Sequence, residues 1–337
     1  MIHLARVLLL IVIVTLSAAV VHAADPATDA GDFPTFGVQF TPPANAVSIQ
    51  PAGQGRVAVY HLKNTNPSPA IFVEIAFADG KKLDQVSQSL AEKIKAEPKA
   101  AAITIGSEEA MTVVMPINTG VFTNRTVYFV VHDGWQYTFH GISTTDTDVT
   151  QTMLTFLKSV KFKPIQSPLD HLKDFYEKPL IIFDRFSINC PNFTRLEASD
   201  KVTSIIGMFD YSKKPLSNVL SVNIKHLQIG AKPFATLRDA YSENLEKLIK
   251  APTPFVWAIS KENSSLHVSK PMKLKEKNSD KTTTNRFCIL EIAPGNFVQL
   301  IFVIASGVPD AQIDSYVDLT DRMLATVKLL PAPTTRP

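Results

Sequence analysis

The sequence predicts an α+β protein made of two tandem repeats, each an antiparallel sheet covered by helices in an α/β/α sandwich. The first observation is a duplicated hairpin. The segment TNRTVYFVVHDGWQYTFHGI, which begins at Thr123, is similar to TNRFCILEIAPGNFVQLIFV, which begins at Thr284. The second is that matched elements follow one another in the same order in both halves. The third observation is that apolar residues recur at helical spacing in segments between the predicted strands. Internal repetition of this kind indicates duplication of a whole domain.

The strands of each repeat are predicted from short alternating runs that end at turn residues. An opening strand ends at proline in both halves, two longer strands follow it, and the duplicated hairpin comes later. Asp133-Gly134 is a strong signal for a two-residue turn, and Pro294-Gly295 also indicates a turn. The matched strands are Phe36–Pro42 with Phe186–Pro191, Arg56–Lys63 with Val202–Phe209, and Ala70–Phe77 with Val219–Leu227.

Helices are predicted where apolar residues recur at helical spacing. One begins after Gly80 in the first half, and its counterpart follows Gly230 in the second. Each repeat then closes with a shorter helix, over Val149–Leu157 and Ile313–Leu324. The apolar positions are Leu83, Val86, Leu90 and Ile94 in the first long helix, and Leu237, Tyr241, Leu245, Leu248 and Ile249 in the second.

The domain organisation follows from these elements and from the N-terminus. A basic start, an apolar run over Val7–Val21 and small residues up to Ala23 predict a signal peptide cleaved near Ala23. The run is too short for a membrane span, and an uncleaved anchor is the alternative. We therefore expect a periplasmic or secreted protein with no transmembrane segment after cleavage. The predicted parts are 1–23 signal peptide, 24–165 first α+β domain, 166–179 linking helix, 180–331 second α+β domain and 332–337 tail.

Each repeat resembles the PsbP-like superfamily. The resemblance rests on the opening FGVQFTP at Phe36, the long antiparallel hairpin, and the last helix that ends in SVKF at Ser159. It implies a PsbP-like α/β/α sandwich in two divergent copies, of a kind used for binding and assembly rather than for catalysis. The family's functional residues cannot be carried over, because no site motif of the family stands in this sequence.

Charge and motifs exclude several classes of function. A formal net charge of +3 gives no basis for nucleic-acid binding. The sequence GQGRVA from Gly53 fits a loose dinucleotide pattern, but a strand follows it where a helix is required. With Asp133-Gly134 as the turn, His132 pairs with Trp135 and His140 with Val127, so the imidazoles point to opposite faces and cannot share a metal. We expect no cofactor and no metal.

Arg125 and Arg286 are the best candidates for partner binding, since both stand in the repeated Thr-Asn-Arg. An arginine at a strand entrance can hold a carboxylate of a partner. The alternative is an arginine paired within its own domain. Weaker candidates are Lys273, Lys275 and Lys277, which alternate as on an exposed strand face. Such lysines either protect an edge strand from pairing or contact an acidic surface.

The two cysteines, Cys190 and Cys288, both stand in the second half. Export permits a disulfide between them. The alternative is two small buried side chains, because Cys288 falls opposite Val127 and Cys190 falls opposite Phe40. The sequence leaves both open.

These observations together predict an exported, non-catalytic binding or assembly module of the cell envelope or extracellular space. Its partner is expected to be a protein or an envelope component, and the sequence does not define its oligomeric state. One alternative is a hydrolase-type enzyme with a site in the cleft between the domains. The other is a carrier of an apolar ligand beneath Trp135, Tyr137 and Phe139.

Overall fold

The structure is a computed structural model, and it divides into two compact units that meet in the chain at Pro164 and Ile165. It describes residues 31–49, 51, 55–63, 67–94, 97–176, 179–199, 202–213, 216–228, 238–239, 242–243, 256–275 and 280–331. The predicted signal peptide, 1–23, and the tail, 332–337, lie outside these ranges. Across them, no helix has both the length and the apolar character needed to span a bilayer.

The first unit is built on a seven-stranded antiparallel sheet, with strand order β3-β4-β5-β9-β8-β7-β6. The first two strands of the unit and its last strand form a small second sheet of order β1-β2-β10. Its elements are β1 (Gly31–Phe33), β2 (Val38–Phe40), β3 (Val47–Ile49), β4 (Arg56–His61), β5 (Ala70–Phe77), α1 (Leu83–Ile94), β6 (Lys99–Ala100), β7 (Met111–Thr119), β8 (Phe122–His132), β9 (Trp135–Thr144), α2 (Thr150–Lys158) and β10 (Lys161–Phe162).

The β8–β9 hairpin sets the register of the whole sheet. Asp133 and Gly134 both have positive φ, 48° and 74°, which a two-residue turn that matches the strand twist requires. His132 therefore pairs with Trp135 and Val127 with His140, as the sequence predicted.

One face of this sheet packs against α2 and the small sheet. Tyr137 and Phe139 of β9 are buried there, with ring contacts to Phe162 and Phe156, and Tyr137 donates a hydrogen bond to the Phe36 carbonyl. Trp135 is buried as well and meets Phe77 edge to face. These are the contacts of a packed core. The aromatic side chains predicted to cover an apolar ligand are themselves part of that core.

The opposite face is covered only in part by α1. Val86 and Ala91 of this helix pack on Val113, Val127 and Phe129 of β7 and β8. The predicted helix of the first repeat is thus confirmed, with Leu83 as its first residue and Ile94 as its last. Over β4, β5 and β9, side chains of the strands themselves cover Phe72 on this face.

The second unit has an eight-stranded antiparallel sheet of order β13-β14-β15-β20-β19-β17-β16, with β18 also paired to β19, and a small sheet of order β11-β12-β21. Matched in chain order, both large sheets have the same strand order. The elements are β11 (Leu180–Ile182), β12 (Phe186–Ile188), β13 (Thr194–Ser199), β14 (Thr203–Asp210), β15 (Ser217–Gln228), β16 (Trp257–Ile259), β17 (Leu266–Ser269), β18 (Met272–Lys275), β19 (Thr282–Ala293), β20 (Asn296–Ile304), α3 (Asp310–Ala325) and β21 (Lys328–Leu329).

The predicted fold class is wrong. The described part of the chain is mostly β, with four antiparallel sheets and three α-helices, and it is not an α/β/α sandwich whose helices cover the sheets. The prediction assigned a helix to every apolar sheet face, whereas the described side chains of α1 pack on β7 and β8. The predicted helix over Leu237–Ile249 lies outside the described residues, apart from helical residues at 238–239 and 242–243.

The linking helix predicted over 166–179 is also corrected. Its described part holds a short 3-10 turn, Pro168–His171, which begins at the Ser167 cap. A proline in the first turn favours initiation of a helix. Beyond it the chain leaves helical geometry, and Phe175 forms an isolated β-bridge with Pro191.

Candidate functional site

A cluster of charged side chains lies on the face of the first unit's sheet that α1 leaves open. We call Arg56, Glu74, Arg125 and His140 the polar cluster. Strand register brings them together: Arg56 pairs with Glu74 across β4 and β5, Phe72 pairs with His140, and Arg125 pairs with Ile142. Because side chains two residues apart on a strand share a face, Glu74, Arg125 and His140 converge around Phe72.

The cluster is joined by a continuous chain of hydrogen bonds. Arg56 donates to Glu74 Oε1 from Nη2 at 2.7 Å and from Nε at 3.2 Å. Arg125 donates to His140 Nδ1 from Nη2 at 2.9 Å and from Nε at 3.1 Å. A guanidinium only donates, so Nδ1 of His140 must be the bare acceptor nitrogen. The proton is then on Nε2, which donates to Glu74 Oε2 at 3.2 Å.

Burial and charge fix the protonation states of the cluster. The side chain of His140 is 3% exposed, and this burial together with the Arg125 charge lowers the pKa of the imidazole to about 4. Burial alone would raise the pKa of Glu74, but the hydrogen bond from His140 and the charge of Arg56 hold it well below its usual range. At neutral pH the cluster therefore contains two guanidinium cations, one carboxylate and one neutral imidazole.

Phe72 forms an aromatic base beneath the charged groups. The His140 ring stacks on it with 4.2 Å between ring centroids. The guanidinium carbons of Arg56 and Arg125 lie 4.7 and 5.1 Å from its centroid, within the range of cation–π attraction. The apolar neighbours that pack around Phe72 are Ile49, Val59, Phe122 and Ile142.

The hydrogen bonds of His140 leave its imidazole unavailable for proton transfer. Both ring nitrogens of His140 are engaged, one by Arg125 and one by Glu74. A general base must reach the proton it removes, and neither nitrogen is available for that. Arg125, by contrast, is a half-buried residue, and two hydrogen bonds to His140 orient its guanidinium. Burial and the nearby charge of Arg56 lower its pKa, although Glu74 opposes the shift.

The matching arginine of the second unit points to the other face of its sheet. Arg286 donates to the Ser269 carbonyl and to Thr320 Oγ1, and it forms an ion pair with Asp321 of α3. A β-bulge between Glu291 and Ala293 shifts β19 by one residue against β20, so that Arg286 pairs with Phe302. The repeated Thr-Asn-Arg therefore places its two arginines in unlike environments.

The bulge also defines which residues of the second unit occupy the cluster's positions. Gly134 corresponds to Gly295 at the turn, so His140 corresponds to Ile301, and strand pairing gives the other equivalents. The equivalents of Arg56, Phe72, Glu74, Arg125 and His140 are Thr203, Asn223, Lys225, Asn285 and Ile301. The second unit thus has no counterpart of the polar cluster at these described positions.

The predicted lysines lie on β18 and beyond it. Lys273 pairs with Asp310 at 3.3 Å and Lys275 with Asp280 at 2.8 Å, and all four side chains are more than 60% exposed. Exposed pairs of this kind contribute little to stability. Lys277 lies outside the described residues. A role of Lys273, Lys275 and Lys277 in binding a partner stays a prediction.

The structure shows two buried free thiols at Cys190 and Cys288, not a disulfide. Burial raises the pKa of each thiol to about 12. Both side chains therefore act as small apolar core residues, in line with the apolar residues that they match in the other repeat.

His132, the other histidine of the first hairpin, lies away from the polar cluster. It forms a 2.8 Å contact from Nδ1 to Glu108 and stacks on Phe162. Among the residues that the structure describes, no group of three or more His, Cys, Asp or Glu side chains could hold a metal ion.

Sequence reasoning named Arg125 as a candidate but missed Arg56, Glu74 and His140 as its neighbours. Glu74 was not predicted to be a site residue, and His140 was considered only as a possible metal ligand. One signal was available: Glu74 is the one polar position in the otherwise apolar run AIFVEIAF. The convergence of Glu74 and His140 needed the β5–β9 register, which no local pattern supplies.

Comparison with known proteins shows similarity of fold only. No family model matches the chain, and no curated protein matches it. A structure from Bacteroides thetaiotaomicron is 11% identical, with a TM-score of 0.31, and the match covers 49% of this chain and 51% of that one. The Saccharomyces cerevisiae Ran-binding protein Mog1p is 9% identical, with a TM-score of 0.33, and the match covers 46% of this chain and 96% of Mog1p. At these TM-scores, neither similarity identifies a function.

Proposed function

We propose that the protein is an exported binding or assembly module, without catalysis of its own, and that the polar cluster is its partner-binding surface. Export rests on the signal pattern up to Ala23, and the PsbP-like assignment rests on the motifs of each repeat. The observation that carries the choice of surface is Arg125, a half-buried arginine whose guanidinium is oriented by a neutral His140 and backed by Phe72.

Pre-organisation is what makes this arginine useful for binding. A flexible surface arginine loses rotamer freedom when it binds, which costs affinity. Two hydrogen bonds to His140 and the contact with Phe72 have already fixed Arg125. Arginine is also over-represented among the residues that dominate binding energy.

The alternatives receive less support from the described residues. An enzyme would need an accessible acid or base, and both nitrogens of His140 are engaged. A carrier would need room beneath Trp135, Tyr137 and Phe139, which are buried in aromatic contacts. A site between the two domains stays a prediction.

Site-specific photo-crosslinking tests the proposed surface. A photoreactive amino acid placed at Thr123, exposed two residues before Arg125, should give a defined crosslinked product in envelope extract of the source organism. The matched control position is Thr282, exposed near the start of β19 in the second unit, where no such product is expected.

The dependence on Arg125 completes this test. Arg125→Gln should abolish the product formed from Thr123, whereas Arg286→Gln should leave it unchanged. Equal products from Thr123 and Thr282, or a product that survives Arg125→Gln, would show that the partner binds elsewhere.

A further inference from the structure

We propose that the polar cluster binds an oxyanionic group, a carboxylate or a phosphate, on the guanidinium edge of Arg125 that faces away from His140, with Arg56 beside it. This inference rests on the proposed function, because it names the ligand chemistry of the same surface.

Arg125 has hydrogen-bond donors to spare. A guanidinium carries five N–H groups. Nε and one hydrogen of Nη2 serve His140, which leaves three donors, and these hydrogen-bond no other side chain or backbone group within the described chain. Two of the three, on Nη1 and Nη2, form the end-on fork. That planar fork matches a carboxylate or a phosphate with two parallel hydrogen bonds.

The charge of the cluster favours an anion. Two arginines face one carboxylate, and His140 is neutral, so the cluster carries a net charge of +1 (two cations less one anion). Arg56 is 15% exposed and Glu74 33% exposed in their side chains, so solvent does not fully screen the excess charge. An incoming oxyanion would neutralise it without a change in any protonation state.

His140 acts here as a positioning residue. Only an unprotonated Nδ1 can accept from Arg125, and only a protonated Nε2 can donate to Glu74. The imidazole therefore lies between Glu74 and Arg125 and hydrogen-bonds to both of them. If Glu74 bound Arg125 directly, the carboxylate would occupy the arginine and neutralise it.

The second unit shows that the sheet itself does not require these charges. The positions of Arg125 and His140 are taken there by Asn285 and Ile301, on a sheet of the same strand order. Ile301 packs with Phe287, Trp257, Met272 and Leu274 in an apolar cluster. The oxyanion site is therefore assigned to the first unit alone.

Side-chain NMR of the purified exported protein tests the inference directly. The Nε–H signal of Arg125, identified by its absence in Arg125→Lys, should shift saturably with sodium acetate, with sodium phosphate, or with both. Sodium chloride at matched ionic strength is the control and should give no saturable shift. The two arms separate the sources of the oxyanion: saturation by one anion alone names the group.

Variants then assign the donors. Arg125→Lys keeps the charge but loses the planar fork, and should weaken acetate or phosphate binding at least tenfold. Arg286→Gln should leave binding unchanged. If neither anion gives a saturable shift of any arginine Nε–H signal in the unmodified protein, the inference is wrong, and that outcome requires no variant.

The outcomes also separate this inference from the proposed function. If Arg125→Gln abolishes the Thr123 crosslink but neither anion binds, the surface is correct and the ligand chemistry is wrong. If an anion binds but the crosslink survives Arg125→Gln, the oxyanion site exists and the partner uses a different surface.

Discussion

Acidification from pH 7 to pH 5 should destabilise the first unit through His140. The pKa of its imidazole is about 4 in the folded protein, against about 6.5 in an unfolded chain. Between these values the unfolded chain binds a proton that the folded chain does not, so stability falls as the pH falls. At about 1.4 kcal/mol per pKa unit, the loss is about 2 kcal/mol by pH 5 and about 3 kcal/mol near pH 4.

The measurement must report on one unit, since a chain of two units need not unfold in a single step. The chain has two tryptophans, Trp135 in the first unit and Trp257 in the second. In a Trp257→Phe background, the fluorescence of Trp135 in urea gives the free energy of unfolding of the first unit. Stopping at pH 5 keeps the pH above the ordinary carboxyl pKa of about 4, where Glu74 would also begin to contribute.

The comparison with His140→Gln isolates the histidine. Glutamine cannot take up a proton in this range, so the variant should lose about 2 kcal/mol less than the parent between pH 7 and pH 5. Burial also lowers the pKa of His61, and this adds a loss of the same sign to both proteins. His132→Gln, on the other side of the hairpin, should keep the slope due to His140. Equal pH dependence in the parent and in His140→Gln would refute the assigned protonation state.

Three further predictions follow from the structure and the sequence. Arg286→Gln should destabilise the second unit by about 1–2 kcal/mol, because it removes hydrogen bonds to Ser269 and Thr320 and an ion pair. The free energy of unfolding is measured in urea through Trp257 fluorescence, with Lys275→Gln, which breaks an exposed ion pair, as the control. A change below about 0.5 kcal/mol in Arg286→Gln would contradict this prediction. Cys190 and Cys288 should not react with a thiol reagent in the native protein and should both react in denaturant, since burial raises the pKa of each thiol to about 12; loss of both titratable thiols after denaturation without reductant would indicate a disulfide instead. N-terminal sequencing of the protein after export should begin at Ala24, and retention of residues 1–23 would favour the uncleaved anchor.

Local patterns predicted the elements that depend on a few neighbouring residues. The Asp133-Gly134 turn fixed the pairing of β8 with β9, because both central residues must adopt positive φ. The apolar spacing from Leu83 likewise predicted α1. Both features are encoded within about a dozen residues, so no long-range contact is needed to recognise them.

The layers of the fold could not be predicted in the same way. Helical periodicity shows that α1 has an apolar face, but not how many strands that face covers. The prediction of an α/β/α sandwich rested on the assumption that apolar strands need helices on both sides of the sheet. Phe72, 2% exposed, is instead covered by His140 and by two arginines, a solution that charge patterns along the sequence do not show.

The candidate site depends on the register of the paired strands. The sequence similarity between the two repeats gave the wrong register for the second hairpin. Alignment of the two Thr-Asn-Arg motifs equated Arg125 with Arg286, and sheet pairing separates them by one residue. A shift of one residue moves a side chain to the other face of a sheet. The bulge between Glu291 and Ala293 therefore turned the best sequence match of the two repeats into a structural mismatch.

The energetic comparison between the two units is the strongest argument that the polar cluster has a role beyond folding. Burial of charges costs free energy that their mutual attraction often fails to recover, and apolar side chains of similar volume can close the same space at lower cost. The second unit has no arginine at the equivalent described positions, which hold Thr203, Asn223, Lys225, Asn285 and Ile301. The first unit keeps two arginines there, one of them with its pKa lowered by burial and by the other's charge. Since one strand order accommodates both arrangements, folding alone does not account for the charged one. Recognition of an oxyanion does account for it, because the same excess positive charge that disfavours the isolated cluster stabilises the bound group.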